Sequence, residues 1–430
     1  MVERKGRTSL LSLFKPRRLP LGLLLAPLVM VADAGQALAQ LAQADAVMHR
    51  PRPEFDPIGL EVFGDPGDPG GDFLLFPEIA ITSGYDTNIF RVKENVVSDS
   101  FVEIRPRLRL SNEGDFAQFQ LIFDGAFRRN LSYSQNDFND FGGRLLYSRA
   151  LGEDTQTNLD LAYSRRHDGR SNPNTPQDRE LDLVRYNEYK ASLSVNQRLG
   201  NFVLIPGGQA SYTQYMRENG VSNADRDYVL YRVNTQIGYN IEEGLRVFVD
   251  PYMDWRRYLQ KDVGRDSDGY GMNVGVLYDI SAVSFAQFSA GYFTQNYANE
   301  SLEDASGFNF NLQAIWNPTD QMTVNLTGGT NVEETTVAGA SSTTRYSLSG
   351  GVDYEVQDNI MITSLIGFSS DLYNGVQRDD QYLQGALGLV YLTNEYMAFR
   401  LTYDYDARMS TDQSLGYEDH TIALNLTLQY

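Results

Sequence analysis

Three arginines spaced two residues apart, Arg105, Arg107 and Arg109, would stand in a row on one face of an extended strand. The same even spacing recurs in Asp124 and Arg128, in Asp250, Asp254 and Arg256, in Arg345 and Asp353, and in Arg400, Asp404 and Asp406. Rows of mixed charge on a strand wall create a transverse field and hydrogen-bonding sites for charged or hydroxylated solutes. They do not break bonds, which requires a base beside a nucleophile. His167-Asp168 and Asp419-His420 are the candidate base pairs, and neither has an evident Ser partner. With no Cys there is no thiolate, disulfide or Cys-ligated zinc, and three His leave little for a metal site. No catalytic residue, metal or cofactor is expected.

The elements that must position these charges are strands. In 418–430, Ile422, Leu424, Leu426, Leu428 and Tyr430 point one way, and Ala423, Asn425, Thr427 and Gln429 the other. Around Arg105, the apolar Val102, Ile104, Leu108 and Leu110 oppose the charges. Period two marks a strand with two unlike faces. Eighteen such segments follow one another from Phe73 to Tyr430. Their connections alternate between short turns, such as Gly200-Asn201 and Asn394-Glu395, and longer polar loops, such as 168–184, 217–226 and 410–417. Tyr239, Tyr278, Trp316, Tyr354, Tyr391 and Tyr430 recur at spacings of 39, 38, 38, 37 and 39, one beat per hairpin. Tyr85, Tyr163, Tyr212, Tyr228, Trp255, Tyr292, Tyr373, Tyr382 and Tyr403 lie near the opposite strand ends. Amphipathic rings prefer membrane interfaces, so the two sets read as two belts.

The pattern predicts an all-β fold, a closed antiparallel transmembrane barrel of about 18 strands, with 16 as the alternative, short periplasmic turns and longer outside loops. In lipid a sheet satisfies its backbone only by closing on itself. Eighteen strands give a backbone diameter of roughly 35 Å, too wide for side chains to fill. Pro106, Pro206 and Pro251 fall inside strands, where bulges are expected. Loop 168–184 carries Arg170, Asp178, Arg179, Glu180 and Asp182. Loops default to the surface, so it is expected outside, with an inward constriction as the alternative.

Ahead of the barrel, Arg4, Lys5, Arg7, Lys15, Arg17 and Arg18 precede an apolar run from Leu19 to Val31 and the small-residue site Ala37-Leu38-Ala39. This reads as a secretory signal peptide over 1–39. It holds six basic and two acidic side chains, so cleavage takes the net charge from −20 to −24. An acid excess argues against a nucleic-acid partner. Residues 40–72, broken by Pro51, Pro53, Pro57 and the Asp/Pro/Gly run at 65–72, read as a flexible lead-in or a plug, and 73–430 as the barrel.

Several stretches resemble the putative β-barrel porin 2 family of Gram-negative outer-membrane proteins. They are Phe55-Asp56-Pro57-Ile58-Gly59-Leu60, Phe73-Leu74-Leu75-Phe76-Pro77 and above all Gly84-Tyr85-Asp86-Thr87-Asn88-Ile89-Phe90, with Asp266-Ser267-Asp268-Gly269-Tyr270 and Val332-Glu333-Glu334-Thr335-Thr336 as weaker matches. The likeness covers about 55–430. It implies outer-membrane insertion and a porin-like role; some members are associated with exopolysaccharide export. The alternating Ile422, Leu424, Leu426, Leu428 and Tyr430 also look like the C-terminal signal read by the barrel assembly machinery, with Tyr in place of the usual Phe. The expected partners are therefore outer-membrane lipid and lipopolysaccharide, that machinery, and a polysaccharide or its export components. The expected function is a channel for hydrophilic material, with a non-conducting structural or adhesive barrel, plugged in its lumen, as the alternative.

Overall fold

The computed structural model describes residues 56–63, 73–113, 117–175, 178–281 and 283–430. The signal peptide expected over 1–39, and the lead-in apart from 56–63, lie outside the described residues. The strands are β1 (Leu60–Phe63), β2 (Phe73–Asp86), β3 (Asp99–Glu113), β4 (Ala117–Asn130), β5 (Phe138–Ala150), β6 (Thr155–His167), β7 (Arg185–Leu199), β8 (Phe202–Tyr215), β9 (Tyr228–Glu242) and β10 (Leu245–Tyr258). They continue with β11 (Ser267–Ser281), β12 (Ser284–Tyr297), β13 (Ala305–Thr319), β14 (Met322–Glu333), β15 (Ser342–Gln357), β16 (Ile360–Asn374), β17 (Asp379–Asn394), β18 (Met397–Ser410) and β19 (Tyr417–Gln429).

Strands β2 to β19 each pair antiparallel with their neighbours in sequence, and β19 returns to β2 from Thr421↔Asp86 to Gln429↔Glu78. The result is a closed barrel of eighteen strands. Alternation fixes its two faces. On β3, Val102, Ile104 and Leu108 are about two-fifths exposed on the outside, whereas Glu103 between them is 3% exposed inside. All six aromatics of the 38-residue beat, Tyr239 to Tyr430, stand exposed on the outer face. Short turns gather at one end. Gly200 (φ 63°) and Gly244 (φ 80°) supply the left-handed backbone that two-residue hairpins need.

Four expectations are corrected. Tyr228, Tyr373 and Tyr382 do not join the outer belt; parity turns them inward, where Tyr373 and Tyr382 are buried. The three prolines make no bulges. Register is unbroken across each, and only one ladder opens: β3–β4 skips from Ile104↔Phe127 to Arg107↔Asp124, β7–β8 from Ser194↔Gly207 to Gln197↔Leu204, and β9–β10 from Ile237↔Val249 to Asn234↔Tyr252. A residue's N–H points to one neighbour only, so losing it opens one seam without inserting a residue. The lead-in is not wholly irregular either. β1 pairs Leu60↔Leu75, Glu61↔Leu74 and Phe63↔Phe73, taking the edge of β2 that β19 leaves free below Gln429. The fourth correction, on loop 168–184, belongs to the barrel mouth.

The seam between first and last strand is fastened by the Gly84–Phe90 motif. Asn88, 1% exposed, donates its backbone N–H to Asp86 Oδ1 (2.9 Å) and Asp419 Oδ1 (2.8 Å). Its side-chain Nδ2 donates to the carbonyls of Glu418 (2.9 Å) and Val92 (2.8 Å), so one amide ties the first long loop to β19. Arg91 turns back in a left-handed conformation (φ 54°) to meet Asp86 at 3.1 Å and Asp419 at 3.0 Å. Burial opposes the Arg91 charge, and Asp86, Asp419 and Asp406 more than reverse it, holding the guanidinium above its ordinary value. Asn88→Ala would leave two carbonyls without their donor, at a cost of about 2 kcal/mol. The temperature at which the folded band converts to the unfolded band on an SDS gel should fall; an unchanged temperature would mean that the motif does not hold the seam.

Candidate functional site

The charges of the strand rows lie on the face opposite the exposed apolar residues, the inner face. Arg105 pairs with Glu103 on its own strand, Arg107 sits in register with Glu78 and Asp124, and the Arg109 guanidinium lies 4.0 Å from the Phe76 ring centroid. Asp124 meets Arg166 of β6 at 2.8 Å, and Arg128 stacks 3.5 Å over Phe101. Across the wall, Asp250 accepts from Asn234 Nδ2 at 3.1 Å, and Asp254 meets Arg232 at 2.9 Å. Arg256 donates to the Val332 carbonyl at 2.8 Å. Arg345 holds Asp371 through Nε (2.6 Å) and Nη2 (2.7 Å) and meets Glu333 at 3.2 Å. Asp353, Arg400 and Asp404 are inward on β15 and β18, opposite Thr363, Val390 and Ala386. The structure does not bring these residues into one cluster. It spreads them as paired charges around the wall. On the outside, Ile422, Leu424, Leu428 and Tyr430 are exposed, and Leu426 shares their side of β19.

The concentrated site is the long-loop end. Residues 168–175 of the loop 168–184 do not stand off in solvent but fold inward, while Asp178, Glu180 and Asp182 stay exposed. Arg170, 6% exposed, donates through Nε to Asn136 Oδ1 (2.8 Å) and through Nη2 to the Leu181 carbonyl (2.5 Å). Its guanidinium lies 5.3 Å from the ring of Phe90, the fully buried last residue of the seam motif. Burial pushes Arg170 down to about 10, against the opposing pull of Asp182 and Asp178.

The loop then spans the mouth. Asn174 lies beyond β6, and its partners follow β14, eight strands along the wall. Asn174 Nδ2 donates to the Glu334 carbonyl (3.2 Å), while its Oδ1 accepts from Thr336 N (2.8 Å) and Thr335 Oγ1 (3.3 Å). Arg226, in the loop after β8, clamps the same bridge. It meets Asp168 at 3.0 Å and Glu334 at 3.1 Å, and lies 3.8 Å over the Tyr215 ring. Burial works against the Arg226 charge; Tyr215, Glu334 and Asp168 outweigh it and raise the guanidinium above its ordinary value. Arg265 adds bonds to the carbonyls of Thr335 and Ala340. Charged groups buried this far from water persist only when paired. The arrangement is a polar bore narrowed at one end by its own loops.

Sequence reasoning missed Asn88, Arg91, Asn174, Arg226 and Glu334. The stretches Gly84–Phe90 and Val332–Thr336 include Asn88 and Glu334 without giving either a role. Asn174 and Arg226 sit in polar loops with no periodicity to read. The two histidines among the described residues serve the wall: His167 Nδ1 lies 3.0 Å from Asp140 with its ring on Phe138, and His420 Nδ1 lies 2.8 Å from the Tyr403 hydroxyl.

A family model described as Putative beta-barrel porin 2 matches residues 61–430. No curated protein matches the chain. Similar solved structures include OpdL of Pseudomonas aeruginosa, 13% identical over 83% of this chain and 99% of that one, with a TM-score of 0.42. OpdO of the same organism is 11% identical over 83% and 97%, TM-score 0.44, and its siderophore receptor PirA is 8% identical over 83% and 80%, TM-score 0.41.

Breaking a buried ion pair costs about 3–5 kcal/mol, far more than an exposed one. Arg226→Gln combined with Asn174→Ala should therefore release loop 168–184 while the barrel stays folded. Trypsin, which finds Arg170 buried in the intact mouth, should nick the folded double variant there several-fold faster. Equal cleavage rates would contradict the bridge.

Proposed function

The chain belongs to the Putative beta-barrel porin 2 family and is a porin-like outer-membrane barrel; from that premise we propose that it passes small hydrophilic solutes across the outer membrane of a Gram-negative bacterium. The observation that carries this reading is the closed eighteen-strand wall with paired charges along its inner face. A ring of that size is roughly 35 Å across its backbone, and walls of 16–18 strands leave an aqueous path. The column Arg105, Arg107 and Arg109 favours anions along one arc. A second arc, on β12 to β14, is lined by Gln287, Asn309, Asn311, Gln313 and Asn325, groups that bind hydroxylated solutes.

Passage of a polysaccharide is the finer proposal. The amide arc supports it, and the bridged mouth favours shorter solutes. The second reading, a barrel closed by its own loops, is favoured by the Asn174–Thr336 and Arg226–Glu334 contacts. Planar-bilayer current separates these readings. The purified protein should conduct, Arg226→Gln with Asn174→Ala should raise the conductance, and replacing Arg105, Arg107 and Arg109 by Gln should shift selectivity toward cations. An added oligosaccharide should block the current transiently if sugars enter, and absence of block would remove the polysaccharide proposal. No current from either form would leave the closed barrel as the better account.

A further inference from the structure

The wall is not zipped at every level. β13 and β14 pair upward from Thr319↔Met322 to Asn311↔Gly329, where the ladder stops, although β13 extends to Ala305 and β14 to Glu333. Over that stretch each strand keeps its other neighbour. β13 stays on β12 as far as Gln295↔Ala305, and β14 stays on β15 as far as Glu333↔Thr343. The two strands therefore part in a fork above Asn311 and Gly329.

The fork's edges find substitute partners. Phe310 N donates to the Thr330 hydroxyl at 3.2 Å, and the Val332 carbonyl takes Arg256 from β10. Tyr346 of β15 reaches past β14. Its hydroxyl lies 3.1 Å from where a side-chain carbon on Gly307 of β13 would sit. The Phe310 ring lies 3.2 Å from the corresponding point on Gly328 of β14.

The level of the fork matters. Phe308 is in register with Tyr292, and the two are 53% and 60% exposed in the upper aromatic belt. An open sheet edge at membrane depth is tolerated only where it is covered by protein or lines a water-filled cavity. The inner side of the fork is polar: Asn309 donates to the Tyr252 hydroxyl (3.2 Å) and to Asn273 Oδ1 (3.1 Å), and beyond it Arg256 and the Arg345–Glu333 pair add charge. The outer side offers Phe308 and Phe310.

We propose that the fork is a lateral portal, stoppered by Tyr346 and Phe310, through which a single-chain amphipath with a hydroxyl-bearing head passes between the outer leaflet and the lumen. The two phenylalanines give the chain an apolar path, and the amides and the Tyr252 hydroxyl receive the head. β14 runs on into the segment that docks Asn174, so the fork and the bridged mouth share one strand.

Because the chain has no cysteine, one fluorophore can be attached at Asn309→Cys beside the fork, or at Thr363→Cys on the inner face of β16 away from it. In nanodiscs, a monoacylglycerol carrying a nitroxide on its chain should quench the first probe several-fold more than the second. A nitroxide-labelled phosphatidylcholine, held in the bilayer by two chains, should quench neither. Tyr346→Ala should increase the quenching at Asn309→Cys. Equal quenching at the two positions, equal quenching by the two lipids, or no increase in a folded Tyr346→Ala variant would overturn the portal. If Tyr346→Ala does not fold, the comparison of positions and lipids in the protein that keeps Tyr346 decides alone. None of these readouts depends on ion conduction.

Discussion

Backbone N–H and C=O groups in hydrocarbon must find partners within the protein, and the rest of this structure follows from that demand. It forces β2 to meet β19, and it explains why the seam is so heavily fastened. Nine register pairs join the two strands, and above them Asn88 and Arg91 bind β19 and the segment around it. Below them β1 occupies the edge that the chain end leaves uncovered. The same demand makes the fork between β13 and β14, where the ladder stops short of both strand ends, an informative part of the wall.

Closure also sorts the side chains. A strand in this ring has one lipid face and one lumen face, so a charge placed every second residue becomes a column inside. Several of these charges are matched by a neighbour one or two strands away, as in Arg144–Asp160 and Arg232–Asp254 on adjacent strands and Asp124–Arg166 two strands apart. At the loop end the pairing spans the bore instead. Arg226 joins Asp168 to Glu334 and so ties one side of the mouth to the other. A wide barrel has too little side-chain volume to narrow itself, and here the loops do it.

Strands were legible because period two is a local signal, repeated many times and reinforced by the aromatic beat. The face of each charge followed from parity, which is why Arg105, Asp254 and Arg345 stand inside. The structure departs from the sequence pattern where parity outweighs height along a strand or where distant segments decide. Tyr228, Tyr373 and Tyr382 share the belt's height along the strand, yet their even or odd position turns them inward. Loop 168–184 looked like an ordinary solvated loop, because nothing near Asn174 announces Thr335 and Thr336, more than 150 residues away. A proline's lost donor suggests a bulge in the sequence, whereas opening one ladder is the smaller change.

The central claim is a closed wall with water on one face and lipid on the other. A cysteine scan of β18 tests it most directly, since the chain has no cysteine of its own. Single cysteines from Phe399 to Met409 would be treated with a small water-soluble thiol reagent in lipid vesicles. The account predicts alternation: fast labelling at Arg400, Thr402 and Asp404, and protection at Phe399, Leu401 and Tyr403. Uniform labelling, or a period near that of a helix, would contradict it.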